Sequence, residues 1–135
     1  MKKLGLLIVM GSGIVLMAGP VEDAELIDAA AGCELPRVKA ALAAGANINS
    51  IDGERGGPAL LSACVALYRE ESRKLRKNSA NCFNVAEYLV VQGADPLVEN
   101  PNTQFSAFSF ARSKYHSSGI MHDLASLILL IDEPE

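Results

Sequence analysis

Residues 35–48, LPRVKAALAAGANI, and residues 83–96, FNVAEYLVVQGADP, decide the fold. Each is an apolar run with helical spacing that enters a glycine, Gly45 or Gly93, and leaves through Ala and then Asn or Asp. The two glycines lie 48 residues apart. A helix that stops on a glycine in the left-handed conformation and then turns accounts for this pattern.

A second set of segments precedes the first. AELIDAA (24–30), PALLSAC (58–64) and SAFSFAR (106–112) align without gaps. They share an apolar position at Leu26, Leu60 and Phe108, and an alanine at Ala29, Ala63 and Ala111. Each unit therefore reads as a short first helix, a turn, a second helix, a glycine exit and a polar connector. Residues 122–130 supply the second helix of a third unit, with Leu124, Leu127 and Ile128 in the places of Val38, Ala41 and Leu42. Units of this kind bury their apolar faces only against their neighbours.

These residues resemble an ankyrin repeat. Leu26, Ala29, Ala30, Leu35, Val38, Leu42, Gly45, Ala46, Asn47 and Asn49 fall on the family pattern in the first unit. Leu60, Ala63, Phe83, Val85, Leu89, Gly93, Ala94 and Asp95 do so in the second. The resemblance implies an all-α stack of helix-turn-helix units with hairpin-like connectors, acting as a protein-interaction module without catalytic residues. The units are about 21–49, 50–97 and 98–131, within a domain spanning 20–135. The chain departs from the family in lacking its Thr-Pro-Leu-His tetrapeptide, so Asp23 is expected to cap the first helix instead. The third unit lacks the glycine exit, and the second carries an insertion over 65–81.

That insertion, VALYREESRKLRKNSAN, favours helix and then a polar turn. Val65, Leu67, Tyr68 and Leu75 can carry the first helix outward as a solvated extension. Arg69, Arg73, Lys74, Arg76 and Lys77 instead offer an acidic partner a contact, on a chain whose formal net charge is −4. The acidic balance and the lack of interleaved aromatics speak against nucleic acid.

Residues 1–19 read as a secretory signal peptide: Lys2 and Lys3, then an uncharged apolar run from Leu4 to Ala18. As a helix that run is about 22 Å long, short of the roughly 30 Å hydrocarbon core. Cleaved, it releases the domain into the periplasm or medium. Uncleaved, it anchors the domain on the far side of the inner membrane. Without Lys2 and Lys3 the remainder holds 10 basic against 16 acidic residues, a net of −6.

Cys33, Cys64 and Cys82 have no zinc spacing. In an oxidising compartment one pair and one spare is the natural arithmetic. Cys64 and Cys82 bracket the insertion and form the leading candidate bridge. Cys33–Cys82 is the competitor, and three free thiols a further alternative. A Cys64–His122 nucleophile pair defines a small hydrolase or redox alternative. The run GERGGP (53–58) is a connector turn and not a phosphate loop.

No metal or cofactor is expected. The expected function is an exported, monomeric, non-catalytic module that binds a protein, as an immunity-type protein or a helper of another envelope protein. A membrane-tethered structural adaptor is the alternative. The expected partner surface comprises Ile51, Asp52, Glu54 and Arg55 of the first connector, Glu99, Asn100, Asn102 and Gln104 of the second, and Arg73, Lys74, Arg76 and Lys77 of the insertion.

Overall fold

Gly45 and Gly93 both adopt positive φ, 98° and 96°, and both end a helix in the same way. The Gly45 N–H donates to the carbonyl of Leu42 and the Ala46 N–H to that of Ala41. The Gly93 and Ala94 N–H groups do the same to Val90 and Leu89. This paired closure satisfies the last carbonyls of a helix and needs a left-handed residue at the glycine position.

The structure, a computed structural model, describes residues 7–9, 15–17, 20–74 and 76–132. Among them are a two-stranded antiparallel hairpin, β1 (Leu7–Val9) with β2 (Val15–Met17), and six helices. These are α1 (Pro20–Ala31), α2 (Leu35–Ala43), α3 (Ala59–Ser72), α4 (Arg76–Val91), α5 (Ala107–Ser113) and α6 (Gly119–Asp132). Among the described residues from 20 to 132 the regular elements are all α-helices. Most of the proposed signal segment lies outside the described residues; its described part pairs as the short hairpin, with Leu7 opposite Met17.

The helices form three consecutive pairs. First helices α1, α3 and α5 pack side by side in one layer, and α2, α4 and α6 in the other. Ala29, Ala63 and Ala111, the shared alanines, are fully buried where the first helices meet. Val38, Ala41, Ala86 and Leu89 form the inner stripe of α2 and α4. In α6 that stripe is Met121, Leu124, Ala125 and Ile128; Leu127, expected inside, is half-buried. Leu42 is likewise half-buried.

At each exit the residue two past the glycine donates its N–H to a side-chain oxygen, within the first unit in one case and across to the preceding unit in the other. The Asn47 N–H donates to Asp23 Oδ1 at 2.7 Å, and the Asp95 N–H to Asn49 Oδ1 at 2.9 Å. Asp23 is thus no N-cap: α1 begins at Pro20, and the carboxylate is occupied by the exit of its own unit.

The insertion is helical on both sides and belongs to the core. Aligned on the shared alanines, α1 stops at Ala31 and α5 at Ser113, but α3 continues to Ser72. The overhang is two turns, about 10 Å. Ala66, Leu67 and Glu70 are buried against the extended N-terminal part of α4, where Ser79 is buried too. The expected solvated extension is therefore replaced by packed helix.

The same extension corrects the cysteine pairing. Cys64 lies mid-helix in α3, in the register of Ala30, and points into the core as a free, fully buried thiol. Cys33 sits at the α1–α2 turn with φ 58° and bonds to Cys82 of α4, Cα–Cα 4.6 Å. The expected Cys64–Cys82 bridge is not formed, because α3 does not end near Cys64. The bridge closes a sequence separation of 49 residues. By loop entropy this stabilises the fold by about 4 kcal/mol.

Trypsin leaves each cysteine on a separate peptide. Without reductant, the peptide ending at Arg37 should be found linked to 78–112, with 56–69 carrying a free thiol. That thiol should resist alkylation until the chain unfolds. A link between 56–69 and 78–112 would contradict this pairing.

Candidate functional site

The connectors are hairpins built on the same side-chain device, 48 residues apart. In the first, Asp52 and Gly56 exchange backbone hydrogen bonds at 2.8 Å, and Asp52 Oδ1 accepts from the N–H groups of Glu54 and Arg55. In the second, Asn100 Oδ1 accepts from the N–H groups of Asn102 and Thr103. Gln104, φ 65°, takes the left-handed place that Gly56 fills in the first hairpin. Asx side chains favour such turns because they satisfy the loop's own donors.

The two hairpins are tied to each other and to the helices. Asn100 Nδ2 donates to the Gly57 carbonyl at 2.9 Å, and Arg55 Nε to Asp28 Oδ2 of α1 at 2.8 Å. Gly57 has no room for a side chain: an added Cβ would lie 2.9 Å from Ile27 Cδ1 and from the Ser50 carbonyl oxygen. Asp52 and Asn100 are therefore structural. Asn100 is buried, which removes it from the expected partner surface. The N–H groups of Arg55 and then Glu54 hold the Asp52 carboxyl below its usual value of 3.8.

The remaining hairpin residues stay accessible. Glu54, Arg55, Glu99, Asn102 and Gln104 are exposed, and Ile51 keeps 40% of its surface in solvent. Arg73, Lys74 and Lys77 are exposed at the α3–α4 turn; the side chain of Arg76 lies outside the described residues. The structure does not bring these two groups together. They flank opposite ends of α3, whose fourteen residues span about 21 Å.

Between them runs a groove of about 420 Å³, bounded by the hairpins, α3 and the start of α5. Leu61, Val65 and Arg69 line it from successive turns of α3, with Phe105 and Phe110 facing them. Phe110 contacts Phe105 edge-on at 5.5 Å and Tyr68 at 5.8 Å, and Lys114 Nζ lies 4.5 Å above the Tyr68 ring. Val65 and Phe105 are 38% and 39% exposed. Sequence reasoning missed the groove as a unit, although the i, i+4, i+8 spacing of Leu61, Val65 and Arg69 puts them on one helix face.

Other clusters offer less chemistry. Burial pushes the Cys64 thiol up to about 12, so the thiolate a nucleophile requires is scarce near neutrality. His122 packs against Tyr115 at 4.5 Å between centroids, and His116 contacts the same ring at 4.7 Å. Among the described residues no group of three or more His, Cys, Asp or Glu could hold a metal ion. No described helix is long and apolar enough to cross a membrane. The chain matches no protein-family model and no curated protein.

Asn100→Ala should cost about 1–3 kcal/mol in urea unfolding, because it strands the buried Gly57 carbonyl and opens the hairpin. Asn102→Ala should stay within about 0.5 kcal/mol. Equal stability of the two variants would contradict the structural role of Asn100. The depressed Asp52 value sets the pH dependence: its contribution is present above about 3.8 and is lost as pH falls through the lower folded value. Amide shifts of Glu54 and Arg55 in an acid titration report that loss.

Proposed function

We propose that this chain is an exported ankyrin-type repeat module that binds a protein partner without catalysing a reaction. The observation that carries the proposal is the open groove between hairpins and first helices, with a partly exposed apolar floor at Val65 and Phe105. Exposed apolar area in a concavity with a polar rim is the usual mark of an interaction site. The three helix pairs, the repeated glycine exits and the paired hairpins agree with the ankyrin resemblance at the level of geometry.

Export rests on the order of residues 1–19 and on the disulfide, which is compatible with an oxidising compartment. In that setting an immunity-type protein or a helper of another envelope protein are the two roles that suit a small monomeric binder. A retained segment 1–19 would make the same module a membrane-tethered adaptor, and the mass of the exported form separates the two.

Two measurements test the proposal. A reporter enzyme active only outside the cytoplasm, fused after Glu135, should be active. Leu7→Arg with Ile8→Arg should abolish that activity, since charge in the apolar run costs about 2.5–3.5 kcal/mol per residue at its centre. A photoreactive residue at Thr103, on the groove, should cross-link the exported chain to a discrete protein. The same residue at Val91, 72% exposed on α4, should not. Reporter activity unaffected by the arginines would overturn export. Equal cross-linking from both positions would overturn the groove as the binding surface.

A further inference from the structure

The groove has a charge bias opposite to that of the chain as a whole. The chain as a whole is acidic, yet no carboxylate lines the groove; its charged walls are Arg55 and Arg69. The two arginines differ in how they are held. Arg55 is engaged by Asp28 at 2.8 Å, much as Arg37 elsewhere is engaged by Glu34 at 2.9 Å.

Among the described residues the contacts of Arg69 are long, 3.4 Å to Glu70 Oε2 and 3.5 Å to the Ala31 carbonyl oxygen. Both are at the limit of hydrogen bonding. Its side chain is 45% exposed. A planar guanidinium with poorly satisfied donors is suited to a carboxylate, which it can take through two parallel N–H groups. Lys114, fixed over Tyr68 beyond Phe110, adds positive charge nearby.

One turn from Arg69 on the same face stands Val65, and opposite it the edge-packed rings of Phe105 and Phe110. These rings are held by their neighbours before anything binds, which reduces the ordering cost of association. The volume, about 420 Å³, lies in the lower part of the roughly 300–1,000 Å³ range of ligand clefts. It accommodates a short stretch of side chains. The insertion creates this site: without the overhang of α3 past the ends of α1 and α5, Arg69 would have no place in the fold.

Resting on the protein-binding proposal above, we infer that the groove receives an extended acidic peptide segment of the partner. A large apolar side chain of that segment sits against Val65, Phe105 and Phe110, and a neighbouring Asp or Glu pairs with Arg69.

The probe is a displayed library of random decapeptides, selected against the oxidised full chain. Selected sequences should share a large apolar residue with Asp or Glu within a few positions. The best binder is then compared with its analogue in which that acid is replaced by its amide. On the native chain the amide should bind about tenfold more weakly; on Arg69→Gln the two should differ less than about twofold. Val65→Glu should abolish binding of both, with melting unchanged, since Val65 is partly exposed. The acid–amide comparison is made within each chain, so a general loss of stability does not mimic it. Failure to enrich any peptide, enrichment without acidic residues, or an acid preference that persists in Arg69→Gln would each overturn the inference. The proposal of a protein-binding module falls separately, on the Thr103 and Val91 cross-linking.

Discussion

The bond between Cys33 and Cys82 fastens the first helix pair to the second helix of the next pair, across the whole insertion. Its contribution matters to the stack because many core side chains are alanine, packed among larger ones such as Leu26, Leu60, Leu67, Leu89, Leu124 and Ile128. Ala29, Ala30, Ala63, Ala66, Ala86, Ala111 and Ala125 are all buried, and the chain contains no Trp. Burial at about 25 cal/mol per Å² gives little per alanine. A loop-closing contribution of about 4 kcal/mol is large beside the roughly 5–15 kcal/mol that separates a folded domain from its unfolded chain.

From that fastening the geometry of the groove follows. Small residues let α1, α3 and α5 lie side by side, the bond from Asn47 to Asp23 ties the first exit to α1, and the bond from Asp95 to Asn49 ties the second exit to the first. The hairpins then have determined positions, locked by Asn100 on Gly57 and Arg55 on Asp28. The groove is the space left between these hairpins and the overhanging α3. Its shape is set by these contacts, while its chemistry lies in a few exposed side chains.

The repeat was legible because each of its signals is local. A glycine exit needs a left-handed residue, and an alanine at a helix contact needs a small one, so Gly45, Gly93, Ala29, Ala63 and Ala111 are visible without tertiary knowledge. The cysteine pairing was not, because it depends on where α3 ends, and residues 65–72 have the composition of either a solvated helix or a packed one. Burial of Leu67 and Glu70 comes from the α4 extension, a tertiary event with no local signature. Asn100 was misassigned for a different reason. Its place in the second connector suggested exposure, although its 48-residue correspondence to Asp52 pointed to a shared turn-building role.

Amide hydrogen exchange of the oxidised and the reduced chain, compared at the same temperature and pH, tests most directly whether the disulfide holds the first pair in place. The account predicts that reduction strips protection from α1 and α2 first, while amides in the centres of α3, α4 and α6 remain protected. Unchanged protection in α1 and α2 after reduction would contradict it, and would mean that the alanine contacts and exit bonds alone hold the first pair on the stack.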